Sequence, residues 1–523
     1  MGEQDMTGRN ALAATLTVSV LLLVGGCASL PEDFARPESF AFGNTDDTAL
    51  GKTSRERRRG HPGQTGFYPL DNGLDAFVAR AVLANSAERS IYAQYYLLHK
   101  DLLGRLFVDL LLKAADRGVR VRLLVDDMDL EGKDLALAAA DSHPNMEVRS
   151  FNPFARNVSR TSQFVTRLGE VDRRAHNKSF NVDNQYAILG GRNIGNEYFE
   201  ADPNLAFSDL DVVAMGPVAQ QVSTSFDKYW NSELAYPISV LVSKFPTPRE
   251  SDEMRARLTE FVAVQAESEY LRALRNSDLA NALRADTVRY YWGDGEVVYD
   301  PPEKLVEAME KSERYLAAQL SPHMQAVQKE LIIFSPYFVP GKSGVAALRV
   351  ARERGVRVRI LTNSLASNDV AMVHAGYLKF RKALLRAGVE LYEMNSRLTK
   401  EQRKATFGSS VASLHAKSFV LDRESVFIGS LNLDPRAIVF NTEIGVVLRS
   451  PEMAGDMARV FDEKIDDVAF RLELVKSEKG SESILWHGLV DGQKQVFDHE
   501  PNASLWQRFK VNFLSMFPIE SQL

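Results

Sequence analysis

An α/β fold of two homologous halves, each a sheet with helices on its faces, is predicted for this 523-residue sequence. Three observations predict it. The chain far exceeds the roughly 100 to 200 residues of one domain, so it can bury two cores or one duplicated core. A strand–helix–strand text occurs twice, and so does a histidine–lysine–aspartate motif with fixed spacing. Hydrophobic content of 45% with 25% charged residues belongs to a folded globular chain. A net charge of −6 lacks the basic excess of a protein built on nucleic-acid phosphates. The single cysteine, Cys27, excludes an intrachain disulfide framework and a cysteine-based zinc site.

From the N-terminus, Ala11 to Val24 is an apolar run of export-signal length, short of the ~20 residues that span a bilayer. It ends in Val24-Gly25-Gly26-Cys27, a text that resembles the bacterial lipobox. Cys27 is therefore the expected lipidation site and the mature N-terminus. The expected location is the exported, periplasmic side of a bacterial membrane, with the choice of membrane open. A polar, basic connector follows around Thr53 to Gly63.

Ser90 to Tyr96, rich in β-branched and aromatic residues, predicts a buried strand. Leu102 to Arg117 has helical apolar spacing, Gly118 supplies a C-cap, and Val119 to Val125 predicts the next strand. The same order recurs as Leu331 to Phe338, a helix to Arg354, Gly355, and a strand from Val356 to Leu361. The glycines are 355 − 118 = 237 residues apart, and His176 and His415 are 415 − 176 = 239 apart. Such agreement indicates two copies of one domain. Glu250 to Leu283, rich in charge and helix formers, predicts a helical connector.

Both copies carry His-x-Lys-x-x-x-x-Asp: His176, Lys178 and Asp183, then His415, Lys417 and Asp422. Residues i and i+2 of a strand share a face, so each histidine should point with its lysine. These six form the candidate catalytic set, with Asp183 and Asp422 expected to support the surrounding structure rather than touch phosphorus. Downstream, Gly191 and Asn193 correspond to Ser430 and Asn432. Amides and exposed backbone N–H groups beside a lysine suit a phosphate cradle, which makes these four the candidate substrate-binding residues. Asp209 and Glu443 stand at comparable places further on. Either could accept the Nδ1 hydrogen of a histidine and leave Nε2 free to attack; which histidine each serves is open.

The doubled motif resembles the phospholipase D superfamily over roughly residues 66 to 463. Phe151 to Phe154, Gly191 to Gly195 and Ser430 to Arg436 resemble the bacterial cardiolipin synthase group within it, as does Phe517-Pro518-Ile519-Glu520 near the end. The resemblance implies two homologous phospholipase D-like α/β sandwich halves packed around one shared active site and a phosphohistidine intermediate, with no metal or other cofactor. It also implies membrane phospholipids as partners: phosphatidylglycerol as acceptor, phosphatidylethanolamine as a candidate second lipid, and no nucleic acid. His176 is favoured as nucleophile and His415 as acid/base, although internal symmetry allows the reverse. Cardiolipin synthesis is the leading expectation. Hydrolysis to phosphatidic acid is the alternative, ahead of a nuclease or a non-catalytic membrane scaffold.

The expected layout is a leader over 1–27, a connector over 28–66, a first half over 67–240, a helical connector over 241–300, a second half over 301–470 and an extension over 471–523. His99, His143 and His323, and the arginines Arg173 and Arg174, carry little functional weight. His374 is read equally as channel lining or packing.

Overall fold

The computed structural model describes residues 29–167, 169–202, 207–307, 313–397, 413–490 and 492–517. The leader, Cys27 and Pro518 to Glu520 lie outside them. Among the described residues, no helix is long and apolar enough to cross a membrane.

The first half contains β1 (Thr65–Leu70), β2 (Ser90–Tyr95), β3 (Arg120–Asp126), β4 (Met146–Phe151), β5 (Ser179–Val182), β6 (Tyr186–Gly190), the two-residue β7 (Phe207–Ser208), β8 (Asp211–Met215) and β9 (Ala235–Pro237). The second half begins with β10 (Tyr291–Tyr299), β11 (Glu330–Phe334), β12 (Arg357–Asn363) and β13 (Glu390–Met394). It continues through the two-residue β14 (Ser413–Leu414), β15 (Ser418–Leu421), β16 (Ser425–Gly429), β17 (Ile444–Arg449) and β18 (Ala469–Lys476) to β19 (Glu482–Val490) and β20 (Gln493–Phe497).

The duplication is complete at the level of pairing. The first sheet runs β1-β8-β6-β5-β2-β3-β4-β9, with β2, β3 and β4 parallel and every other pair antiparallel. The second runs β10-β17-β16-β15-β11-β12-β13-β18 with the same sense at each step, then adds β19 and β20. Strand β10 joins the two. Its first residues pair with β1 and the remainder with β17. Glycine permits this crossing: a Cβ on Gly293 would lie 2.1 Å from the Arg449 carbonyl oxygen.

The predicted βαβ units are present. Gly118 and Gly355 follow the helices Leu102–Asp116 and Gly341–Glu353 with φ of +89° and +91°, the left-handed conformation that favours glycine at a helix end. The strand expected to reach Phe338 stops at Phe334, because Pro336 cannot donate to a ladder. Phe338 instead bridges Leu433, as Leu98 bridges Ile194 in the first half.

Helices Gly73–Ser86, Leu102–Asp116 and Asp134–Asp141 pack on the first half's core. Between the sheets, Phe67, Leu189 and Val212 share one apolar cluster with Leu414, Val426 and Phe461. Three of the expected boundaries are not free-standing. The 241–300 connector holds helices whose Leu274 and Leu279 enter the first core, and it ends in β10. The 28–66 connector is tied down by Ser39, Ala41 and Phe42, whose N–H groups donate to Asn231, Asp227 and Tyr92. The 471–523 extension completes the second sheet and adds helix Leu505–Ser515.

Candidate active site

Both histidines stand just before a central strand. His176 to Lys178 precedes β5, and His415 to Lys417 lies between β14 and β15. The expectation of a regular strand over these motifs is therefore corrected to an extended segment held by the opposite half. His176 N donates to the Thr442 carbonyl at 2.8 Å, and His415 N donates to the Ser208 carbonyl at 2.7 Å. Thr442 and Ser208 are the residues immediately before Glu443 and Asp209. The same backbone contact that seats each imidazole thus delivers a carboxylate to it.

His176 Nδ1 lies 2.9 Å from Glu443 Oε2, and His415 Nδ1 lies 2.5 Å from Asp209 Oδ2. Each acid serves the histidine of the other half, which resolves the open assignment. The ionised acid orients the ring and leaves Nε2 available. Tyr96 meets the His176 ring edge-on with centroids 5.0 Å apart. Phe207 stacks on His415 at 4.9 Å, and Tyr198 meets it edge-on. These rings, missed in the sequence, limit how the imidazoles can turn.

Lys178 and Lys417 each donate to the carbonyl of their own motif's histidine. Neither is ion-paired with a described carboxylate, so their charge is available to an anion. Burial, the first cause, pushes Lys178 well below its ordinary value and brings Lys417 to about 8. Both imidazoles are also pushed down, first by burial and then by the lysines. Lys417 and His415 act on His176, and Lys178 acts on His415, so the two motifs face one chamber. Burial raises Glu443 to about 7, against the pull of Lys178 and the Ser430 hydroxyl. For Asp209, burial acts in the same upward sense, but the charges of His415 and Lys417 outweigh it and hold the carboxyl low.

Asp183 and Asp422 spend their carboxylates on backbone N–H groups. Asp183 stands at the far end of β5 and accepts from the N–H groups of Glu88, Arg89 and Ser90 at 2.8 to 3.0 Å. Asp422 accepts from Gln328, Lys329 and Glu330 in the same manner. Both have positive φ, +50° and +55°, where the chain turns back into the next strand. Each ties that turn to the start of the parallel strand beside it, the supporting role expected for them.

The expected phosphate cradle is altered. Ser430 gives its hydroxyl to Glu443 Oε2 and accepts from Ile444 N at 3.1 Å, so it braces an acid. Gly191, its counterpart, leaves room for an acid: a Cβ there would lie 2.2 Å from Asp209 Oδ1. Asn193 accepts from Leu97 N at 3.1 Å and donates to Tyr198 Oη at 3.0 Å, leaving one amide hydrogen uncommitted. Asn432 differs, with a buried Oδ1 that has no partner.

Arg174 is not a surface cation. It is fully buried, paired with Asp126 at 3.2 Å and bonded to the Asn152 carbonyl. Asp126 also accepts from Ala175 N at 2.9 Å, and in the second half Asn363 accepts from Leu414 N at 2.9 Å. Asp126 and Asn363 end β3 and β12 and hold the residue before each histidine. Their offset equals that of the two glycines, a signal the sequence carried. His374 is buried and packs with Arg381, whose Nη2 lies 3.2 Å from its Nε2, rather than lining a channel.

Two duplicated sheets that exchange acids to hold paired histidine–lysine motifs define a phosphotransferase of the phospholipase D type. The family described as "Cardiolipin synthase, PLD-like domain" matches residues 80–230 and 320–465, more than half of the chain, and the chain belongs to it. Cardiolipin synthase C of Escherichia coli (strain K12) is 40% identical over 475 residues, covering 88% of this chain and 96% of that protein. An uncharacterized protein of Helicobacter pylori (strain ATCC 700392 / 26695) is 31% identical over 409 residues, covering 78% and 80%. The crystal structure of phosphatidylserine synthase from Haemophilus influenzae Rd KW20 superposes with a TM-score of 0.56 at 13% identity. It covers 90% of this chain and 99% of that one, a likeness of fold.

Proposed function

We propose that this enzyme makes cardiolipin by transferring a phosphatidyl group from one phospholipid to phosphatidylglycerol, through a phosphohistidine on His176. The observation that carries the reading is the pair of imidazoles facing one chamber, each with Nδ1 tied to a carboxylate from the other half. Burial and the neighbouring lysines hold His176 in its neutral form, which suits a nucleophile. His415 shares its hydrogen bond with a firmly ionised Asp209, which suits a group that must carry and return a proton.

In the first displacement, His176 Nε2 attacks phosphorus and the bond to the departing alcohol breaks as His415 gives that oxygen its proton. In the second, neutral His415 takes the proton of the phosphatidylglycerol hydroxyl. The new oxygen–phosphorus bond forms, the nitrogen–phosphorus bond breaks, and both histidines are restored. Lys178 and Lys417 meet the non-bridging oxygens, and the remaining Asn193 amide hydrogen is free to join them. The lysine charge is worth most when the chamber is dry and the transition state fully formed.

Rapid acid quenching followed by peptide mass spectrometry should find a phosphatidyl adduct on His176, absent in His176→Ala. An adduct on His415 would reverse the roles. The leader ending at Cys27 supports anchoring on the exported side of a bacterial membrane. The mass of the mature N-terminal peptide tests that part separately.

A further inference from the structure

Helix Leu505–Ser515 opens with a capping box in which Ser504 and Gln507 satisfy each other's backbone N–H groups. At 100° per residue, Leu505, Trp506, Phe509 and Phe513 fall within an arc of about 100° on its outer face. Leu505 is 79% exposed, Trp506 70%, Phe509 61% and Phe513 48%. Trp506, Phe509, Phe513 and Phe517 form a file of rings with successive centroids 5.6, 6.4 and 5.2 Å apart. Exposed Met516 extends the strip. Soluble surfaces rarely present so continuous an apolar ridge without a partner for it.

The opposite face fixes where the ridge lies. Val511 and Leu514 pack into a cluster with Val339, Leu365, Val373 and Tyr337. Lys379 Nζ donates to the Phe517 carbonyl at 2.6 Å and pins the end of the segment. Tyr337 Oη donates to Asp369 Oδ1 at 2.8 Å, and the charge of Asp369 reaches Lys417. The helix therefore rests on the segment after β11, whose Val339 N donates at 2.8 Å to the carbonyl of Leu433, the residue after Asn432. Two further exposed apolar pairs flank residues whose charges reach the site: Val370 and Met372 near Asp369, which acts on Lys417, and Ile438 and Val439 near Arg436, which acts on His176.

We propose that the C-terminal helix lies in the interface of a phospholipid bilayer and sets the active-site mouth against it. Tryptophan and phenylalanine on one face, with Lys510 exposed beside them and the cation of Arg508 across the helix, are the chemistry of an interfacial helix. Eleven residues are too few to span a bilayer. The choice of a lipid surface over a protein partner rests on the phospholipid substrate proposed above and on the packing of the helix against the segment bonded beside Asn432.

Tryptophan emission of the full chain tests this in vesicles of phosphatidylethanolamine and phosphatidylglycerol with brominated acyl chains. Trp230 and Trp486 are buried and Trp292 is half-buried, so contact of Trp506 is read as the difference between the chain and Trp506→Phe. Brominated vesicles should quench more than plain ones, and Trp506→Phe should remove that excess. Phe509→Glu with Phe513→Glu should lower turnover of vesicle substrate about tenfold. Turnover of a short-chain phospholipid dispersed as monomers should stay within about twofold of the parent enzyme.

Equal quenching by both vesicles would overturn the proposal, as would unchanged vesicle turnover in the double variant. Self-association abolished by the double variant, without quenching, would also overturn it and assign the ridge to a second copy of the chain. Quenching in a chain that forms no lipid product would uphold the docking helix and reject the proposed function, so the two failures are distinguishable.

Discussion

At the scale of single residues, the chemistry depends on carboxylates borrowed across the duplication. Glu443→Gln keeps the shape but removes the negative charge and introduces an amide NH2 that can donate to Nδ1, which favours the His176 tautomer with its proton on Nε2. A loss in kcat of about 10²- to 10⁴-fold is expected. Because Glu443 acts through His176, the double variant His176→Ala/Glu443→Gln should be no slower than His176→Ala alone. Steady-state kinetics of the four proteins checks this, and additive losses would contradict the pairing.

The pH dependence of kcat/KM follows from the same groups. Glu443 becomes the required anion as pH rises through about 7, and Lys417 loses its charge as pH rises through about 8. Activity should climb through the first range and decline through the second as a macroscopic bell. Lys417→Arg should move the alkaline limb upward; an unmoved limb would assign it to another group.

At the scale of elements, the aspartates of the motif are tie points. Asp183→Ala would leave the N–H groups of Glu88, Arg89 and Ser90 without their acceptor. A stability loss of about 2–4 kcal/mol is expected, with kcat per folded molecule nearly unchanged. Chemical denaturation and active-site titration separate the two quantities. A stable variant with no turnover would return Asp183 to the chemistry.

The repeated strands, their glycine-capped helices and both histidine–lysine pairs were legible in the sequence, because local spacing encodes them. The acid assignments were not, since the partners of His176 and His415 lie 267 and 206 residues away and spacing cannot choose between them. Ser430 and Gly191 looked like phosphate ligands because small residues serve both phosphates and crowded acids. The 241–300 helices read as a connector because their charged, exposed faces outweigh the few side chains, such as Leu274 and Leu279, that enter a core.

At the scale of the whole molecule, one apolar cluster drawn from both sheets and the shared strand β10 make the halves a single catalytic unit. Neither half supplies the acid for its own motif histidine. The duplication thus supplies two related groups, and the contact between copies gives each its orientation and its different charge environment. Transfer rather than hydrolysis requires this unit to present an alcohol, and not water, to the phosphohistidine.

The most direct measurement is mass spectrometry of the products formed when the purified chain meets labelled phosphatidylglycerol and phosphatidylethanolamine, separately and together, beside His176→Ala. Labelled cardiolipin that disappears with His176→Ala is the expected result. Phosphatidic acid as the sole product would contradict transfer, and cardiolipin formed equally by His176→Ala would contradict the nucleophile.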